Sequence, residues 1–416
     1  MRFAKTSIII MAAIAVVFGL GSVSYAFHEG GVGRCEGCHD MHNSKSTGML
    51  LKGTDTSSTC LSCHAAADTA PNGYHVMTYP VPGAGIPPAN MGPGGDFAWL
   101  GKTYTWIGRS GKTSTEKGDS HGHNIIAADY GMVTDATNSG TAPGGTFPSS
   151  QFACISCHDQ HGTARRLNDG TYSRDGGPII ASGSYASSPI PPVGEAVGTY
   201  RLLRGSMNDR NPGNTNYATP ALAFAPDSYN RSESYTQTRV AFGDRMSDFC
   251  GACHTNHHTT NVKYHPQGVS IRSTVAGNYN AYIASGNMGG SSASSYLSLV
   301  PFEEGATTDI ATLQTHAVSD NSVLAGPDAA SQVMCLSCHR GHASAFPAMA
   351  RWNNESELIT FEHSYAGTDA PNAEASNANF ARGRLVAEMA AGYYNKPATD
   401  FATFQRSLCN KCHAKD

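Results

Sequence analysis

Every cysteine in this chain stands in a Cys-x-x-Cys-His motif, and there are six such motifs. They place Cys35, Cys38 and His39; Cys60, Cys63 and His64; Cys154, Cys157 and His158; Cys250, Cys253 and His254; Cys335, Cys338 and His339; and Cys409, Cys412 and His413. Two thiols at this spacing each form a thioether to a haem vinyl group, and the adjoining histidine reaches the iron as proximal ligand. One copy alone fits a zinc half-site or a disulfide. Six copies with no cysteine left over specify six covalently attached haems c. A chain that wraps large apolar plates needs less hydrophobic core of its own. Composition agrees, with 45 glycines and 21 prolines among 416 residues and charged residues at 14%. That is loop-rich without being charge-rich, so self-repelling disorder is a poor explanation. The expected fold is mostly coil, with few short helices and little strand, wrapped around a chain of haems.

Arg2 and Lys5 precede an apolar run from Ile8 to Leu20, and Ser24-Tyr25-Ala26 ends in a small residue. This pattern is a secretion signal over residues 1–26, cleaved before Phe27. The run is too short for a membrane span, and no other stretch approaches it. No cysteine near the cleavage site offers a lipid anchor. The mature chain is therefore expected to be exported through the periplasm to the outside of the cell, without a membrane span. Residues 27–416 read as one hexahaem unit of three haem pairs, about 27–136, 137–300 and 301–416. The polypeptide carries a formal charge of −4, and six ferric haems with their propionates add about −6. An acidic holoprotein argues against nucleic acid as a partner.

Of 18 histidines, six are proximal by motif, leaving twelve for six distal positions. His42, His161 and His342 each follow the proximal histidine of an odd-numbered motif by three residues. So close a follower does not readily turn around the haem edge to the far face of the same iron, but it reaches a neighbouring haem. The odd motifs also have histidines upstream: His28, then His121 and His123, then His316. The distal set is read as His42, His161 and His342 for the odd haems and His28, His123 and His316 for the even ones. His75 and His265, each eleven residues beyond an even proximal histidine, stand in reserve with His258 and His121. His257 and His363 are read as non-ligands. If each follower serves the odd haem of the preceding pair, His161 ligates haem one and His342 ligates haem three. His42 is then unmatched within its chain, and haem five lacks a follower. The simplest closure takes His42 to haem five of a neighbouring molecule. That is a head-to-tail contact, which builds a filament unless it closes into a ring. Reversing the direction still leaves one unmatched ligand at one end.

Residues 78–95, 137–149 and 178–194 are rich in Pro, Gly, Ser and Thr and read as wrapping loops. One helix is expected over about 378–394, where Phe380, Leu385, Met389 and Tyr393 recur at helical spacing. A second is expected to start at Asp400 as N-cap and carry Phe401, Phe404 and Leu408 into the last motif.

Segments outside the motifs carry a further resemblance. They include Phe27-His28, Pro93-Gly-Gly-Asp-Phe97, Thr103-Tyr-Thr-Trp106, His121-Gly-His-Asn-Ile125, Thr236-Gln-Thr-Arg-Val240, Tyr296-Leu-Ser-Leu299, Pro301-Phe-Glu-Glu-Gly305 and the ending Leu408–Asp416. With the motif stretches Cys35–Ser44 and Cys335–Arg340, they run nearly end to end. The chain resembles the OmcS-type hexahaem outer-surface c-type cytochromes, which form extracellular filaments. The resemblance implies bis-histidine haems in a continuous stack of alternating parallel and T-shaped pairs, with His42 crossing to haem five of the adjacent subunit. The family carries a histidine shortly after motif two, where this chain has Ala65-Ala66-Ala67, and His363 is particular to this chain. The implied function is electron transport along a homopolymer. Upstream cytochromes would donate, and mineral oxides, electrodes or partner cells would accept. Two alternatives stand beside it. One is a soluble monomeric shuttle, with His42 folded back onto an internal iron. The other is a multihaem reductase of a small oxyanion, which needs an iron with an exchangeable position. None of the six motifs is altered in the way that marks such an iron, so no enzymatic activity is expected.

Overall fold

The computed structural model describes residues 34–66, 75–205, 217, 219–227, 236–257, 265, 268–305 and 309–414. The secretion signal, His28 and His258 lie outside them. The helices are α1 (Cys35–Cys38), α2 (Thr56–His64), α3 (Cys154–Cys157), α4 (Met246–Gly251), α5 (Arg272–Ala281), α6 (Ile310–His316), α7 (Ala378–Ala381), α8 (Val386–Gly392) and α9 (Asn410–His413). Among the described residues the longest has ten. The strands are β1 (Tyr104–Ile107), β2 (Thr113–Glu116), β3 (Arg165–Arg166), β4 (Tyr172–Ser173), β5 (Ile179–Ala181), β6 (Ala196–Val197), β7 (Leu222–Phe224), β8 (Ala241–Asp244), β9 (Thr360–Phe361) and β10 (Ser364–Tyr365). They make three two-stranded ladders and one four-stranded sheet of order β4-β3-β6-β5. The expected mostly-coil architecture is what forms. Among the described residues no helix is long and apolar enough to cross a membrane.

The buried apolar side chains fall into separate clusters, and the larger ones adjoin haem motifs. The largest contains Trp99, Tyr104, Phe346, Trp352, Tyr393 and Leu408, with Cys338 and Cys412 packed against it. Another gathers Leu61, Met77, Phe97 and Ile125 beside Cys154. A third joins Tyr200, Leu203, Phe242, Met246 and Met334, around motifs three to five. Core is thus built beside the haem motifs rather than in one central mass.

The long C-terminal helix does not form as one piece. Arg382 takes a left-handed backbone (φ 48°) at the end of α7, and α8 begins only at Val386. The break turns Arg384 inward, where it donates to the buried carboxylate of Glu116 and to the Ala345 carbonyl. The helix expected from Asp400 is also absent. Asp400 instead ends a 3₁₀ turn, and the segment after it runs extended beside β9. There Ile359 N–H donates to Gln405 O at 2.7 Å, and Gln405 N–H donates to the Thr360 hydroxyl at 3.2 Å. In both places tertiary hydrogen bonds outweigh a local helical period.

Two buried carboxylates tie the ends of the chain together. Glu116 of β2 also accepts from His121 Nε2 at 2.7 Å, and Glu388 of α8 accepts from Tyr104 Oη and Lys102 Nζ, both at 3.2 Å. Burial alone would raise the Glu116 pKa, but His121 and Arg384 outweigh it and hold it down to about 2. Its ionised form therefore contributes stability that is full above about pH 4.5 and is lost as pH falls toward 2. The upper limit is about 3 kcal/mol. Glu116→Gln is expected to be less stable than the wild type by up to that amount at pH 6, with the gap closing by pH 2. Acid-titrated unfolding followed by circular dichroism checks this, and a gap that does not narrow defeats it.

Candidate haem sites

The odd motifs share one local construction. In each, the proximal imidazole donates its Nδ1 proton to a backbone carbonyl: His39 to Met49 (2.8 Å), His158 to Arg201 (2.8 Å) and His339 to Ala348 (2.7 Å). The segment bearing that carbonyl runs antiparallel to the motif. Asp40, Asp159 and Arg340 N–H groups donate to Leu50, Leu202 and Met349, and Lys52, Arg204 and Arg351 return bonds to Cys38, Cys157 and Cys338. The same three cations reach back with their side chains to the carbonyls of Glu36, Ile155 and Leu336, inside the motifs. Each turn needs left-handed residues, at Leu50, at Arg201 and Leu202, and at Ala348 and Met349. A ligating histidine usually donates its second ring N–H in this way, which fixes the tautomer and leaves Nε2 for the metal. His254 of motif four is held alike, by Pro143 O at 2.8 Å. That carbonyl belongs to the expected 137–149 wrapping loop.

The cation-bearing segments were missed in the sequence, although a signal is present: an apolar pair followed by Lys or Arg recurs at Leu50-Leu51-Lys52, Leu202-Leu203-Arg204 and Met349-Ala350-Arg351.

Motifs two and four each pack against the odd motif that follows. Asp55 caps α2 by accepting from Ser58 N–H at 2.7 Å, and the next α2 serine, Ser57, accepts from Cys154 N–H at 3.1 Å. Ser247 does the same for Cys335, also at 3.1 Å. The Cys60 and Cys154 thiols meet, as do those of Cys250 and Cys335. All twelve cysteines are free thiols, so each motif keeps two nucleophiles for thioether formation.

Three pairs of imidazoles face one another. Ring centres are 6.2 Å apart for His158 and His342, 6.0 Å for His254 and His123, and 5.9 Å for His413 and His265. Two imidazoles trans on one metal, with bonds of about 2 Å and ring centres roughly 1 Å beyond the nitrogen, stand about 6 Å apart. The residues therefore fit bis-histidine haem at motifs three, four and six. His257 is also 6.3 Å from His254. It lies in the same turn, however, with its N–H on His254 O, and its ring packs over Gly144. It shares His254's side rather than facing it.

His342 is seated by two glycine segments. Its N–H donates to Gly94 O at 2.7 Å and its carbonyl accepts from His123 N–H at 2.9 Å. A Cβ on Gly95 (φ +90°) would lie 1.8 Å from Ala343 O, and one on Gly122 would lie 2.4 Å from His342 O. Only glycine permits so close an approach. The ring stacks on Phe97 at 4.7 Å. Burial, then the neighbouring His158 and His123, lower its pKa to about 3, and burial with His254 lowers that of His123 to about 4. Both rings are thus neutral at physiological pH.

Two expectations are corrected. His121, held in reserve, spends Nδ1 on Trp99 O (3.0 Å) and Nε2 on Glu116, so neither nitrogen is left for iron. His316, read as the distal ligand of haem six, is not the ring facing His413; His265 is. His316 Nδ1 pairs with Glu304 at 2.6 Å, and Arg239 holds that carboxylate at 2.8 Å. His42 and His161 are exposed, with their N–H groups on Asp40 and Asp159. His75 is buried beside motif two, where Val76 N–H donates to His64 O. His363 sits exposed in the β9–β10 turn, against Thr403.

Free thiol pairs, proximal imidazoles with one nitrogen already committed, and facing imidazoles at metal-spanning distance belong to a multihaem c-type cytochrome. Comparison with known proteins narrows that class. Residues 28–69 match the doubled CXXCH motif family. The C-type cytochrome OmcS of Geobacter sulfurreducens (strain ATCC 51573 / DSM 12127 / PCA) is 47% identical over 433 residues, covering 97% of this chain and 98% of that protein. The cryo-EM structure of the OmcS nanowires from Geobacter sulfurreducens matches with a TM-score of 0.84 at 45% identity, over 94% of this chain and 100% of that one. The outer membrane cytochrome S filament from the same organism matches with a TM-score of 0.86 at 46% identity and the same coverage. The chain belongs to the OmcS family of c-type cytochromes.

Proposed function

We propose that this protein carries electrons through the extracellular space along a head-to-tail polymer, each subunit contributing six bis-histidine haems in file. The observation that carries this reading is the facing of His342 and His158. It supports one direction of ligand sharing, in which an odd haem takes its distal ligand from the follower of the next odd motif. By the same rule His161 serves haem one, and haem five needs a follower from beyond the chain. His42 of an adjoining subunit supplies it. Beside that exposed imidazole, Met41, Met49 and Leu50 are 78%, 54% and 42% exposed, an apolar rim suited to a neighbour's surface.

Haem c supplies a one-electron iron centre at each motif. The chain's residues fix where these centres stand and what closes their axial positions. His123 serves haem four, His265 haem six and His28 haem two, while Nδ1 bonds to backbone carbonyls hold the proximal rings of haems one, three, four and five. Six irons that would each take two histidines would leave no position open to a substrate, which supports electron transfer rather than catalysis. Upstream cytochromes load the polymer, and mineral oxides, electrodes or partner cells unload it. Electron microscopy of the natively secreted protein tests this. Filaments with density joining His42 to a neighbour's haem are expected, and discrete monomers with six internally ligated irons would make the protein a shuttle. Carbon monoxide separates the reductase reading, since the reduced polymer is expected to bind almost none.

A further inference from the structure

Arg166 of β3 is 2% exposed, yet Nη1 and Nη2 have no hydrogen-bond partner. Among the described residues no carboxylate bridges it, and its titratable neighbour is Tyr172. The contact it makes is apolar: the guanidinium lies 5.6 Å over the ring of fully buried Phe224. A buried cation left in this state costs several kcal/mol, far more than a short two-residue strand repays. Two other buried arginines that line motifs, Arg204 and Arg351, spend their side chains on carbonyls within them. Arg166 therefore calls for an anion that the described residues do not provide.

Its surroundings indicate which one. Arg166 pairs with Val197 of β6, and that segment continues to Leu203, which bridges to His158 of motif three. Phe224, under the guanidinium, belongs to β7, which pairs with β8, and β8 runs on through Arg245 into α4 and motif four. Arg166 thus sits between the flanking strands of the two central motifs. The anions that a haem brings into a protein interior are its two propionates, and a guanidinium fork matches a carboxylate with two parallel bonds. We propose that Arg166 is the buried counter-ion of a propionate on one of the central haems, those of motifs three and four, and so a positioning residue that sets that haem's potential. The inference rests on the six-haem reading.

Removing a positive charge beside a haem favours its ferric form. Arg166→Gln holoprotein is therefore expected to keep six haems by pyridine haemochrome assay while one of six steps in a spectroelectrochemical titration moves to lower potential. Arg166→Lys, which retains the charge without the fork, is expected to shift that step less. Six unmoved steps in a fully loaded Arg166→Gln protein would overturn the pairing. Should that variant fail to mature, a high-resolution cryo-EM map of the wild type decides. Propionate oxygens within hydrogen-bond distance of Nη1 and Nη2 support the assignment, and a guanidinium turned to water or a peptide carbonyl overturns it. A wild type lacking six haems would sink the cytochrome reading, whereas full loading with Arg166 elsewhere sinks this pairing alone.

Discussion

His42→Ala is expected to abolish filaments and leave single subunits, each with one haem that binds carbon monoxide when reduced. The imidazole is exposed at the start of the described chain, and the shared-ligand rule leaves it no iron of its own. On that rule the substitution loses one iron–histidine bond at every junction. It also opens the far face of haem five, so one equivalent of carbon monoxide per subunit should bind where the wild type takes almost none. His42→Met, which restores a weaker axial donor, is expected to close that position and recover part of the assembly. Size-exclusion chromatography, negative-stain imaging and reduced-minus-carbonyl spectra make the three readings. Intact filaments with haem five still six-coordinate would show that another residue closes the junction.

His342→Ala is expected to produce the same spectral change without the same loss of assembly. Haem three should bind one equivalent of carbon monoxide per subunit, because the ring facing His158 at 6.2 Å is gone. The backbone seat between Gly94 and His123 does not depend on the side chain, so folding and polymerisation are expected to persist. His121→Ala supplies the contrast. That ring lies in the same glycine-lined region but spends both nitrogens on protein groups. Its loss should admit no carbon monoxide, yet cost about 1–3 kcal/mol of stability by leaving Glu116 short of a buried donor. A His342→Ala protein silent to carbon monoxide would reassign haem three and, with it, the direction of ligand sharing.

The cysteines and the histidines adjoining them were legible because the attachment signature is written locally. The facing of His342 and His158 was foreshadowed for a related reason: a histidine three residues beyond a proximal one does not readily reach the far face of the same iron. The choice between His265 and His316 was not. Both stand far from His413 in the sequence, and which ring faces it depends on how α5 and α9 bring distant loops together. His121 looked like a spare ligand until Glu116 was seen beside it. The cation-bearing segments went unread because their partners lie at unequal separations. The long C-terminal helix failed at Arg382 because a buried ion pair with Glu116 offered more than continued helical bonding.

Those unequal separations have a consequence of their own. The carbonyl that holds His39 lies ten residues downstream, and the one that holds His158 lies forty-three. Closing the longer loop costs only about 1 kcal/mol more. Length between a proximal ring and its anchor therefore costs little in itself. What restrains the longer excursion is packing, because it carries Arg166 and Val197, both buried, back between the central motifs. The exposed turn at 192–194 can be lengthened or rewritten at small cost, while the buried strands beside it keep the interior in gauge.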